Sequence, residues 1–199
     1  MDLATILILT LATLWLILLF ASRLRKRQRG SISTLIVLGS GGHTAEMVKL
    51  VSSLDRCRYS PRHYVAAVTD ALSAEKARTS DPDGHVYTVP RAREVGQSWA
   101  SSAITTLRAS ISSWLLVWRI RPDLVLCNGP GTCVPISMAA WLLRKLLLTK
   151  TKIVFVESVC RVQKLSLSGK ILAPLADETL VQWPELTKEK HCKYVARFV

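Results

Sequence analysis

Acidic residues are scarce in this chain. Against 27 Lys and Arg stand only 14 Asp and Glu, so the 199 residues carry a formal charge of +13. Mean hydropathy is nevertheless +0.26. A chain both basic and apolar favours an anionic lipid surface or a phosphorylated amphiphile over nucleic acid. Zinc-finger spacings and basic–aromatic nucleic-acid motifs are missing, which points the same way. Cysteine pairing is missing too: Cys57, Cys127, Cys133, Cys160 and Cys192 are odd in number and contain no C-x-x-C. They read as reduced thiols of a reducing compartment, three of them in or beside apolar runs. No repeat or low-complexity segment interrupts the chain, and its length suits one domain with an appendage.

What is present is organised around TLIVLGSGGHTAEMVKLVSSL, residues 34–54. Thr34–Leu38 is a β-branched apolar run that predicts a buried strand. Gly39-Ser40-Gly41-Gly42 follows, and then Met47, Val48, Leu50, Val51 and Leu54 recur at helical spacing with Glu46, Lys49 and Ser53 off that face. A strand, a glycine turn and a helix start make an anion site. Glycines admit a phosphate close to the backbone, and the first helical N–H groups point at it. The turn is not the dinucleotide fingerprint, since Thr44 replaces the third glycine, and an NAD-dependent oxidoreductase is disfavoured accordingly. A turn that merely packs helix on strand is the plainer alternative.

Upstream, Leu3–Ala21 carries no charge, and at ~1.5 Å per residue it reaches roughly 28 Å, near the thickness of a bilayer core. Asp2 precedes it and Arg23–Arg29 is strongly basic, the reverse of a signal peptide. That asymmetry predicts a single-pass anchor with everything after Arg29 cytosolic. Downstream, His63–Thr69, Val86–Val89, Asp123–Cys127, Ile153–Glu157 and Glu178–Gln182 are further strands, separated mostly by helical patterns. Trp99–Ile120 and Pro135–Leu148 are the longest of these. Apolar strands alternating with helices predict an α/β fold, a Rossmann-like doubly wound parallel sheet behind an N-terminal transmembrane helix. The divisions are 1–22 anchor, 23–33 basic linker, 34–183 lobe and 184–199 tail. On Trp99–Trp118, the residues Trp99, Ala103, Leu107, Ile111, Trp114, Leu115 and Trp118 form one stripe, suited either to the membrane interface or to the sheet.

A second glycine turn, Asn128-Gly129-Pro130-Gly131-Thr132, follows the fourth strand. In the order 3-2-1-4-5-6, strands one and four meet at the switch point, where ligands bind. The fifth strand brings Glu157 and Ser158 to the same crevice, with Arg161, Ser168 and Lys170 after them, the groups that a diphosphate and sugar hydroxyls need. Gly169-Lys170 is no P-loop, because the upstream glycine is absent. His43 at the helix start is a candidate proton acceptor or a capping residue; a helix N-terminus disfavours imidazolium. Glu157 is either catalytic or paired with Arg161. Asp81-Pro82-Asp83 imitates a D-x-D metal motif but reads as an exposed turn. Asp70 could hold the ribose of a dinucleotide, but it sits later than the usual ~20 residues beyond the glycines, which weakens that reading; His191-Cys192 lacks partner ligands. No metal and no cofactor are expected.

The apolar N-terminus, LGSGGHTAEM, PDLVLCNGPGTCVP, VFVESVCRVQKLSLSGK and LVQWPEL together resemble the family of membrane-anchoring subunits of the eukaryotic UDP-GlcNAc transferase. That enzyme adds the second GlcNAc to dolichyl-diphosphate-GlcNAc in N-glycosylation. A more distant likeness is to the bacterial transferase that completes lipid II. The resemblance implies one N-terminal, acceptor-side lobe of a split GT-B enzyme, at the cytosolic face of the endoplasmic reticulum membrane and the contiguous nuclear envelope. A separate soluble catalytic chain would bind UDP-GlcNAc. The stretch after strand six is too short for a second lobe, which agrees with that division. The transfer implied is inverting and metal-independent, with His43 or Glu157 as base. Backbone groups at Gly39, Ser40, Gly41, Gly42, Thr44, Asn128, Gly129, Gly131 and Thr132 would hold phosphates, supported by Ser158, Arg161, Ser168 and Lys170. Tyr194, Phe198 and Val199 would dock the partner. A membrane recruiter without catalytic function is the rival.

Overall fold

The computed structural model of the chain describes residues 2–23, 30–92, 99–129 and 131–197, without the side chains of 20–23 and 99–103. The elements are α1 (Leu3–Arg23), β1 (Thr34–Val37), α2 (Gly42–Ser52), β2 (Arg62–Ala67), α3 (Ala71–Ser80), β3 (His85–Val89) and α4 (Trp99–Ile120). They continue as β4 (Leu124–Asn128), α5 (Cys133–Lys145), β5 (Lys152–Val156), α6 (Leu167–Leu172), β6 (Glu178–Val181) and β7 (Cys192–Tyr194). The sheet has seven strands in the order β3-β2-β1-β4-β5-β6-β7, and every pairing is parallel. The expected six-strand order is present, with one strand added at its end.

Strand alternation explains the layers. Leu35, Val37, Val125, Cys127, Ile153 and Phe155 face α4 and α5, where Val117, Ile136, Ala140 and Leu143 complete the cluster. Ile36, Leu38, Leu126 and Val156 turn to the opposite face and meet Met47 and Val51 of α2 and Ala74 and Ala77 of α3. A sheet buried on both faces must read as continuous apolar runs, as these strands do. Cys127 and Cys133 are buried free thiols, and burial pushes the Cys133 thiol well above its usual range.

Three expectations change. The segment after Trp183 is not a free tail: Pro184–Lys188 makes a 3₁₀ turn and Cys192–Tyr194 pairs with β6. The α4 stripe divides. Ile104, Leu107, Ile111 and Leu115 are exposed, whereas Trp114 and Trp118 pack against the core. Asp81 is buried rather than an exposed turn residue. The Tyr64 hydroxyl donates to its Oδ2 at 2.8 Å, Arg62 Nη1 lies 3.5 Å from the same oxygen, and Arg56 binds Oδ1. Burial first, and then Asp81, push the Tyr64 hydroxyl well above its ordinary range.

Among the described residues, no helix is long and apolar enough to cross a membrane. What α1 does show is a row of exposed apolar side chains that includes Leu3, Leu7, Ile8, Leu11 and Ile17. Its distal end touches the lobe. Leu18 and Leu19 pack on the α4–α5 cluster, and Trp15 Nε1 donates to the Leu146 carbonyl at 3.3 Å. The basic residues 24–29 lie outside the described residues.

Removing one partner of a buried ion pair strands the other charge. Asp81→Ala is expected to destabilise the lobe by about 3 kcal/mol, measured by thermal or urea unfolding, whereas Asp83→Ala at the exposed end of the same turn should stay within about 0.5 kcal/mol.

Candidate functional site

Three adjacent parallel strands, β1, β4 and β5, end on one side of the sheet, and the turns that follow them form a crevice. After β1 the chain passes through Gly39 and Ser40 to Gly41, whose φ of 62° is in the left-handed region. With ψ at −122° this combination lies outside the left-handed helical well that other residues can enter, and it suits glycine. Gly41 caps α2 with no side-chain hydrogen bond, so the first amides of the helix are left for an anion. Ser40, Gly41 and Gly42 are exposed there. Thr44 is not. It is buried, and its hydroxyl bonds the Gly39 carbonyl and the Ser73 hydroxyl at 2.6 Å. Thr44 therefore tightens the turn from beneath.

The second turn begins with Asn128, 1% exposed, and Gly129 at φ 82°. Here glycine is required twice over. A Cβ at 129 would stand 2.3 Å from His43 Nδ1, so the imidazole lies directly against the backbone. His43 Nδ1 and Asn128 Oδ1 are 2.7 Å apart. Gly131 is exposed and Thr132 is buried at the start of α5. Pro130 lies outside the described residues.

At the end of β5, Glu157 is fully buried. Its Oε1 accepts from Ser158 N–H at 3.2 Å. Its Oε2 accepts from the N–H and hydroxyl of Ser166, at 2.8 and 3.0 Å. These bonds, rather than an ion pair with Arg161, compensate the buried carboxylate. Ser166 in turn caps α6 through the Gly169 N–H, and Gly169 leaves no room for a Cβ, which would fall 2.4 Å from Glu157 Oε2. Glu157 thus fastens the loop 158–166 to the sheet. Ser168 is buried within α6, while Arg161 is exposed in the loop and Lys170 is exposed on α6.

The residue that sequence reasoning missed is Glu46. Helical spacing puts it off the apolar face of α2, yet it is 4% exposed. Its Oε2 accepts from Asn128 Nδ2 at 2.8 Å and from Val159 N–H at 3.4 Å. Its Oε1 accepts from the Ser158 hydroxyl at 2.7 Å. One side chain therefore ties α2 to the ends of β4 and β5. The detectable signal was its place, one helical turn after the glycines and three residues after His43.

Other candidates lie elsewhere. Asp70 caps α3 by accepting from Ser73 N–H at 3.1 Å. Tyr194 is exposed on the edge strand, and Arg197 stacks over the Trp183 ring at 3.8 Å. Phe198 and Val199 fall outside the described residues. No group of three or more His, Cys, Asp or Glu that could hold a metal occurs among the described residues.

A doubly wound parallel sheet with glycine turns side by side at its switch point defines a Rossmann-like α/β lobe. The solved structure of Acinetobacter baumannii MurG superposes with a TM-score of 0.61 at 16% identity, over 82% of this chain and 45% of that one. A putative UDP-N-acetylglucosamine 2-epimerase from Listeria monocytogenes superposes with a TM-score of 0.60, also at 16% identity, over 81% and 44%. The chain spans less than half of each, and at that identity the likeness is one of fold. The family follows from sequence: residues 34–198 match "Oligosaccharide biosynthesis protein Alg14 like", and the chain belongs to that family. It is 53% identical to the mouse UDP-N-acetylglucosamine transferase subunit ALG14, over 86% of this chain and 85% of that one. It is 51% identical to the human protein of the same name over the same shares. The Schizosaccharomyces pombe relative is 48% identical over 81% and 80%.

Two glycines give a paired prediction. Gly169→Ala, which drives a Cβ into a buried carboxylate, should destabilise by about 1–3 kcal/mol. Gly131→Ala meets open space and should change unfolding by less than about 0.5 kcal/mol.

Proposed function

We propose that this chain is the membrane-anchoring, acceptor-binding lobe of a two-chain UDP-GlcNAc transferase. The reaction is addition of the second GlcNAc to dolichyl-diphosphate-GlcNAc at the cytosolic face of the endoplasmic reticulum. A soluble partner supplies the lobe that binds UDP-GlcNAc, and neither chain is active alone. The relatives' names as transferase subunits support this reading, as does the family match over residues 34–198. The observation that carries it is the junction of an uncapped helix start with His43 in one crevice. The first suits a diphosphate, and the second is assigned the proton of the sugar hydroxyl beside it.

In this reading the free amides of α2 and the Gly129–Thr132 turn hold the acceptor's diphosphate, with Arg161 and Lys170 as counter-charges. His43 takes the proton from the acceptor 4-hydroxyl as its oxygen bonds to the anomeric carbon. The bond from that carbon to the UDP phosphate oxygen breaks, and the electron pair leaves with UDP. Glu157 keeps its hydrogen bonds and shapes the loop rather than exchanging a proton. Membrane attachment is assigned to α1, with the exposed row Ile104, Leu107, Ile111 and Leu115 of α4 lying on the surface. Partner docking is assigned to Tyr194 and the residues after it.

The test is GlcNAc transfer to a dolichyl-diphosphate-GlcNAc analogue by this chain, by its partner and by the pair. Activity is expected from the pair alone. His43→Gln should lower turnover by about 10²–10⁴-fold, the range for loss of a general base, while Glu157→Gln is read against its unfolding curve. Full turnover in His43→Gln would remove the base assignment. Truncation after Lys193 should abolish co-purification with the partner while leaving membrane association intact.

A further inference from the structure

Glu46 has no part in the transfer as proposed, although three donors converge on its carboxylate beside His43. Its surroundings fix a chain of donors and acceptors. A carboxylate oxygen accepts, whereas a backbone N–H and an amide NH₂ donate. With Val159 N–H and Asn128 Nδ2 both directed at Oε2, the Asn128 amide has one workable orientation, with NH₂ toward Glu46 and Oδ1 turned away. Oδ1 then faces His43 Nδ1 at 2.7 Å. An amide oxygen only accepts, so the imidazole proton must sit on Nδ1.

The neutral ring is thereby left with its lone pair on Nε2. Among the described residues Nε2 takes no hydrogen bond, and the ring itself is half-buried. Nor can the imidazole easily swing away, because the Gly129 backbone lies against its Nδ1–Cε1 edge. The Asn128 amide cannot turn over without setting two NH donors against each other or leaving the Glu46 oxygen with one donor fewer. It is 1% exposed, so water cannot readily replace what it loses.

The geometry points to Glu46 as a positioning residue: acting through Asn128, it holds His43 in the Nδ1–H tautomer and keeps Nε2 bare to receive a proton. The catalytic meaning of this relay rests on the reading of His43 as the base. The tautomer itself does not. A merely structural Glu46, tying α2 to the strand ends, would affect stability but would not need to dictate which imidazole nitrogen is protonated.

The experiment uses the full-length chain assembled with its partner and labelled with ¹⁵N-histidine. Long-range imidazole ¹⁵N–¹H correlations report the tautomer. The chain has four histidines, and the His43 signal is identified by its loss in His43→Gln. The wild type is expected to show Nδ1–H. In Glu46→Ala the signal should move toward the Nε2–H form, and turnover should fall by about 10-fold or more with little change in the acceptor KM. Glu46→Gln should retain both tautomer and most turnover, because its amide oxygen can face Asn128 while its NH₂ donates to the Ser158 hydroxyl. An Nε2–H wild-type signal overturns the proposal, and does so even if Glu46→Ala does not fold. A tautomer unmoved in folded Glu46→Ala overturns it equally. If the tautomer responds as expected but His43→Gln keeps full turnover, the relay stands and the base assignment falls.

Discussion

Two carboxylates almost without access to water organise the C-terminal edge of this sheet. An ionised carboxylate removed from water is costly unless several donors replace its hydration. Glu157 recovers them from Ser158 and Ser166, and Glu46 from Asn128, Ser158 and Val159. To supply those donors, the turns after β1, β4 and β5 must sit side by side. The crevice is thus a consequence of where the buried charges find partners, and the surface glycines are free to line it because the carboxylates do the holding from below.

That arrangement separates support from contact. Thr44 and Glu157 are buried beneath the turns and Ser168 is buried within α6, while Ser40, Gly41, Gly42 and Gly131 are at the surface. Gly129 and Gly169 belong to neither group in the usual sense. Each is a glycine because another side chain occupies the space a Cβ would need, the His43 ring in one case and the Glu157 carboxylate in the other. Motifs rich in glycine are commonly read as phosphate cradles, and at these two positions the missing Cβ also records a close approach between side chain and backbone.

The apolar surface is distributed with the same economy. Trp114 and Trp118 serve the core, which leaves Ile104, Leu107, Ile111 and Leu115 outward. Where α1 returns to the lobe, at Leu146, it reaches the end of α5, the neighbour of α4 in the same layer. Most of the exposed apolar groups of the described lobe therefore lie on or just after α4 and α5, although Leu72 of α3 is exposed on the opposite side. On the opposite side, α2 and α3 cover a core built from Met47, Val51, Ala74 and Ala77.

The sequence by itself determined the parallel doubly wound sheet, the six strands and their order, and the meeting of the glycine turns. Continuous apolar strands can be buried only between two helical layers, and right-handed crossovers leave few ways to order them. It could not determine Glu46. Helical periodicity assigns a residue to a face by its angle, and a charged residue off the apolar stripe reads as solvent-facing. Whether that face meets water or the ends of two other strands depends on contacts distant in sequence, from Asn128 and Ser158. The same limit applies to β7, whose three residues carry too short a pattern to read and are ordered by pairing with β6. It applies also to Asp81, whose turn composition predicts exposure until Tyr64 and Arg62 of β2 come to lie against it. Periodicity is local and settled the layers; burial of charge is a long-range property, and only the folded chain could decide it.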